Sequence, residues 1–341
     1  MEAAYSKGLI KSLILLFACI APAPLIAKPI VWPTPNTAFL EAKPMEAYIQ
    51  PTVSGKVESG LFGCVRNGGH RFHGGVDLKA LQKNKKGEPL DPIFAILPGK
   101  LAYHNPIGAN SSYGRYIVIE HCQEDIPLFS LYAHLSSIEP HIGLGKTVHI
   151  GERIGTMGRS ATKPIPKTRA HLHFGLGLRI SDHFESWYTQ QKFGTPNQHG
   201  AWNGMNMVFL DPLAYYRARL SSTFQGTSAY IKNLPSALTL QIKTTVTPSF
   251  LKRYTKLIVN EKLPEKPITG WQIEFTAAGL PKKWTPLYTP LPGLKHAGSI
   301  SLISYDEAIL RKNPGLKLVQ WNKKGNPSAA KKLNQIIDLI F

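Results

Sequence analysis

The chain has 341 residues, is 43% hydrophobic, and carries 40 Lys and Arg against 21 Asp and Glu, a formal net charge of +19. That content supports packed cores and excludes global disorder, and the length suits two or three domains. The charge favours anionic partners, but the basic residues are spread along the chain and no Lys/Arg block accompanies a nucleic-acid motif, so no nucleic-acid partner is expected.

Lys7 and Lys11 precede an apolar run over 13–21, and small residues and Pro follow up to Ala27. Basic, then apolar, then small is the order of a secretory signal peptide, here 1–27 with cleavage after Ala27. The run is shorter than the ~20 residues of a spanning helix, so a signal anchor is the lesser reading. So is a lipid on Cys19, because Phe17 sits where a lipoprotein box prefers a small residue. Export to the periplasm or cell envelope would leave Cys64 and Cys122, which could form one disulfide.

Residues 28–50, with Pro29, Pro33, Pro35 and Pro44, read as an extended Pro-rich arm. From Pro51 the chain becomes short apolar runs cut by Gly, Pro and Asn, such as 93–97, 116–119 and 129–132. This predicts a mainly β, antiparallel domain over 51–219. Residues 183–206 read as a long loop, and Asp211-Pro212-Leu213 as the closing segment. In 220–341, Leu238, Leu240 and Ile242 alternate with polar residues, as do Trp271, Ile273 and Phe275. Period-two alternation buries one face, which predicts a second, smaller β-rich domain of unassigned role, a sandwich being one form.

Three stretches bear chemistry: His73-Gly74-Gly75-Val76-Asp77, Tyr132-Ala133-His134-Leu135 and His171-Leu172-His173-Phe174. Imidazoles and a carboxylate are what a catalytic zinc takes from protein while one position stays open for water. Gly74 and Gly75 disfavour a helix between His73 and Asp77 and suit a bend that approaches a metal closely. His171 and His173, two apart on a strand, would look into one cleft while Leu172 and Phe174 face the core. Spacing alone does not choose which of the two binds metal, and His134 by itself could be a core histidine. His70, near His73, stays a weaker candidate. Gly143-Leu144-Gly145-Lys146-Thr147 lacks the first glycine of a phosphate-binding loop, where Pro140 stands. No G-x-S-x-G or H-E-x-x-H pattern occurs.

Together these blocks, with the glycine-rich segment 143–158, resemble LytM/lysostaphin-type zinc endopeptidases, in the same order and spacing over 51–216. The resemblance implies a compact antiparallel β domain with a groove. It implies one zinc held by His73, Asp77 and His173, with His134 and His171 as the unligated catalytic pair. It also implies peptidoglycan peptides as substrate, cut at stem-peptide crosslinks or glycine bridges. Relatives that have lost ligands regulate other wall hydrolases without catalysis, which is the alternative function. Two departures border the groove: Gly175 follows the HLHF block where Glu is common, and Arg169-Ala170 precede it in place of Gly-Pro.

Overall fold

The computed structural model describes residues 29–341, so the expected leader and Cys19 lie outside the described residues. The Pro-rich arm is not a free extension. Trp32 stacks on Phe39 with ring centroids 4.9 Å apart, and both meet Tyr216. Tyr48 and Ile49 are buried, and Ile49 bridges Leu78. Four large apolar side chains in twenty residues are enough to fold the arm onto the core in spite of its prolines.

A hairpin of β1 (Gly63–Arg66) and β2 (Arg71–His73) comes next and turns through Gly74 and Gly75 into β3 (Val76–Lys79). The chain continues through β4 (Pro92–Phe94), β5 (Gly99–Asn105), β6 (Arg115–His121) and β7 (Leu128–Leu135). Short strands β8 (Ser137–Ile138), β9 (Thr147–Val148) and β10 (Arg153–Thr156) precede the long β11 (His171–Arg179). Helix α1 (Phe184–Gln190) and 3₁₀ turns occupy the expected loop, and β12 (Met207–Leu210) follows. Asp211 then caps α2 (Pro212–Leu220), accepting from the N–H groups of Leu213 and Ala214, with Pro212 at the first helical position.

The main sheet runs β12-β11-β7-β6-β5-β9, and β3 also pairs with β11. β11 therefore has β7 along one edge and β3 then β12, end to end, along the other. All pairings are antiparallel, as the sequence pattern predicts. β4, β10 and β8 form a smaller sheet, and β1 with β2 stands as a separate two-stranded ribbon. Cys64 lies on β1 and Cys122 in the turn after β6; both are free thiols, so the disulfide does not form in this fold.

The C-terminal unit begins with α3 (Thr227–Asn233) and holds the expected alternating strands in one four-stranded antiparallel sheet. These are β13 (Leu238–Lys243), β14 (Gly270–Phe275), β15 (Pro281–Leu287) and β16 (Ile300–Tyr305), with α4 (Ser249–Arg253) between β13 and β14. The layer over this sheet is helical, so the unit is not a sandwich. After α5 (Glu307–Lys312) and the ribbon β17 (Val319–Trp321) with β18 (Pro327–Ala329), α6 (Lys331–Ile340) buries Leu333, Ile336, Ile337 and Ile340. Those positions recur at i, i+3, i+4 and i+7, one helical stripe. One hydrophobic cluster runs without a break from Trp32 to Ile340, so both units share a core.

Candidate metal centre

Strand pairing brings three of the five expected residues together. His173 lies opposite Asp77 of β3 on one side and opposite Ala133 of β7 on the other. Directly opposed residues of an antiparallel pair share a face. Val76, Leu78, Leu172 and Phe174 enter the main core, so Asp77, His171 and His173 emerge on the other face. Gly75 permits the close β3–β11 approach: a Cβ there would lie 2.4 Å from the Phe174 carbonyl oxygen and 3.0 Å from the His173 ring.

His134 reaches that face by a different route. Along β7, Phe129, Leu131 and Ala133 line a second cluster on the site side, while Tyr132 joins the main core. Strict alternation would turn His134 into the main core. Its φ of 65° breaks the alternation, and Leu135 then returns to the main core. A left-handed backbone costs a non-glycine residue ~1–2 kcal/mol. Surrounding bonds hold it: the His134 N–H donates to the Tyr113 carbonyl at 2.8 Å, and Nδ1–H to the Ser160 carbonyl at 2.8 Å.

The donors converge closely. His73 Nε2 is 2.9 Å from His173 Nδ1 and 3.0 Å from Asp77 Oδ1, and His173 Nδ1 is 3.2 Å from Asp77 Oδ1. Ligands of a tetrahedral zinc with bonds of ~2.0–2.1 Å are about 3.3 Å apart, so this trio fits such an ion with little movement. The rings are oriented from behind. His73 Nδ1–H donates to the Leu61 carbonyl at 2.7 Å, which aims the Nε2 lone pair into the cluster. His171 Nδ1–H donates to the Arg169 carbonyl at 2.7 Å and leaves Nε2 3.4 Å from Asp77 Oδ1. The His134 and His171 ring centroids are 4.8 Å apart. All five side chains are buried.

Their electrostatics differ. Burial opposes charge on Asp77, but His73 and His171 outweigh it and hold the carboxyl well below its usual range. Burial pushes His134 well below the ordinary imidazole value, and His171 and His173 add to the effect. Burial likewise takes His173 down to about 4. Burial also works against a charged His171, yet the Asp77 carboxylate reverses the balance and raises it. Two neighbouring imidazoles thus hold protons with opposite readiness.

Two residues absent from the sequence reading complete the centre. Arg66 reaches across from β1: its Nη2–H groups donate to the Asp77 carboxylate and to His73 Nε2, and Nε–H donates to the Ser59 carbonyl at 2.9 Å. A cation on His73 Nε2 must displace that contact. Tyr113 is half-buried with its ring 5.4 Å from the His173 ring, and desolvation raises its phenol to about 12. Only the proximity of Arg66 to the H-x-x-x-D block could have drawn attention to it, and no sequence signal marks Tyr113. His70 is exposed at the hairpin turn, outside this cluster, and His121 is buried in the sheet beside Ser130.

Residues 71–183 match the profile of peptidase family M23. This segment is an M23 peptidase domain. It spans the five residues above, and family M23 is zinc-dependent. Among solved structures, a zinc-containing peptidase from Vibrio cholerae is 24% identical over 31% of this chain and 26% of its own length, with a TM-score of 0.23. The catalytic domain of lysostaphin from Staphylococcus simulans is 21% identical over 46% of this chain and 87% of that one, with a TM-score of 0.28. The catalytic domain of a prophage-encoded M23 protein from Enterococcus faecalis is 24% identical over 38% and 79%, with a TM-score of 0.25. The chain thus spans about a quarter of the Vibrio cholerae peptidase. No curated protein matches it. The M23 match stops well before the C-terminal unit. No helix among the described residues is long and apolar enough to cross a membrane.

Proposed function

We propose that the protein is an exported, zinc-dependent endopeptidase that hydrolyses peptide bonds in bacterial peptidoglycan. The observation that carries this reading is the convergence of His73, Asp77 and His173 inside an M23 domain, with two further imidazoles turned to the same point. Those three residues would hold one zinc. Bound there, zinc polarises a scissile carbonyl and lowers the pKa of water to ~7. His134 and His171 have their Nδ1–H groups committed to backbone carbonyls, which turns each Nε2 toward the site, that of His171 beside Asp77 Oδ1, to take a proton from water and return it to the leaving amine. The two share this work with stabilisation of developing negative charge. Among the described residues no glutamate lines the cavity, which supports an imidazole as the base.

The basic, apolar and small-residue pattern of 1–27 supports export. A non-catalytic wall-hydrolase regulator would need no ligand set, and the convergence of His73, Asp77 and His173 favours the catalytic reading over it. The test is peptide release from purified sacculi, read by mass spectrometry. Release that stops on chelation and returns with zinc is the expected result. Sacculus binding with no release at any zinc concentration contradicts the peptidase and leaves the regulator.

A further inference from the structure

The cavity over the centre is lined by Arg66, Arg71 and Arg169, from three separate segments, and among the described residues its only lining carboxylate is Asp77. Arg66 is committed to that carboxylate. Arg71 and Arg169 are different: neither guanidinium has a hydrogen bond or ion pair among the described residues. Elsewhere arginines find acids, as in Arg159 with Glu88, Arg179 and Arg253 with Asp182, and Arg219 with Glu124. Arg71 is exposed and Arg169 half-buried, so both can meet a ligand. A planar guanidinium with free donors matches a carboxylate bidentately.

Position sets the register. Arg71 lies two residues before His73 on β2, ~7 Å along the strand. Arg169 lies two residues before His171 and its own carbonyl orients that imidazole. An extended substrate advances ~3.3–3.6 Å per residue, so residues near the bond to be cut would pass through the cavity that both side chains line.

Resting on the peptidase reading, we infer that the groove selects an acidic peptide, with free carboxylates flanking the scissile amide gripped by Arg71 and Arg169. Uncharged glycine bridges would leave both groups unmatched. Stem peptides with free carboxylates would engage them.

The test is binding of two fluorescent crosslinked stem peptides, identical except that one has free carboxylates and the other has amides, to the full-length chain in chelator. The acid should bind about tenfold tighter. The advantage should shrink as salt rises. It should fall to about threefold or less in the Arg71→Gln, Arg169→Gln double variant and return in part with Lys at both positions. Equal binding of the two peptides, no binding of either, or an advantage unchanged in the double variant overturns the inference. The readout needs neither zinc nor turnover. A protein that discriminates but never cleaves sinks the peptidase reading alone, and one that cleaves both peptides without discrimination sinks this inference alone.

Discussion

His134 is held in a backbone conformation that most residues avoid, and the cost is local evidence of a demand on its imidazole. Asparagine tolerates positive φ better than most side chains. His134→Asn should therefore keep the fold and the zinc content while turnover falls ~10²–10⁴-fold. Metal analysis and a crosslink-release assay on the same sample check both halves; loss of zinc with activity would make His134 a structural residue. His121 tests the core in a different way. It is fully buried, near the Pro98 carbonyl and Ser130 Oγ, and burial lowers it to about 4. Its unfolded value is ~6.5, so the unfolded chain binds the extra proton between those limits. Stability should be full above pH 6.5 and fall by up to ~3 kcal/mol as pH drops toward 4. Denaturant melts across that range should show a slope about one proton shallower in His121→Asn. An unchanged slope contradicts the assignment.

The β1–β2 ribbon carries Arg66, Arg71 and His73 yet does not join the main sheet. Its brace comes from the C-terminal unit. A Cβ on Gly315 would lie 2.9 Å from the Gly69 carbonyl oxygen and 3.0 Å from the Arg71 nitrogen, while the Gly315 and Leu316 N–H groups point at the Cys64 thiol. Gly315→Val should push the ribbon outward and weaken zinc binding about tenfold or more. A zinc titration of the folded variant reads this directly, and wild-type affinity would show that the brace is idle. At this scale the sequence was partly legible. Alternation announced β13 and β14, and the His171/His173 period of two placed both rings on one face. Local spacing could not show β11 lying between β3 and β7, because that pairing joins residues about a hundred apart. The Leu333, Ile336, Ile337, Ile340 stripe of α6 has helical spacing, which the β-rich expectation for 220–341 does not resolve. The φ of His134 follows from tertiary contacts with Tyr113 and Ser160 and left no trace in composition.

For the whole molecule, the shared core outweighs any division by sequence style. Trp32, Phe39, Tyr48 and Ile49 belong to the arm but are buried against the M23 domain. Each such burial is worth ~1.5–3 kcal/mol. Their sum is comparable to the ~5–15 kcal/mol stability of an entire domain. Arg253, through the Arg179 and Ile180 carbonyls, and Asp125, through the Thr227 and Ser228 N–H groups, tie the C-terminal unit to the same body. A 51–219 fragment should therefore lack a cooperative thermal transition that 29–341 retains, and a sharp melt for the fragment would show that the arm and C-terminal unit are dispensable. The proposed chemistry depends on one ion. Anomalous diffraction at the zinc edge, on full-length protein prepared with zinc, should show a single strong peak among His73 Nε2, Asp77 Oδ1 and His173 Nδ1, absent from His73→Ala. No peak among those three atoms in the wild-type protein would contradict it.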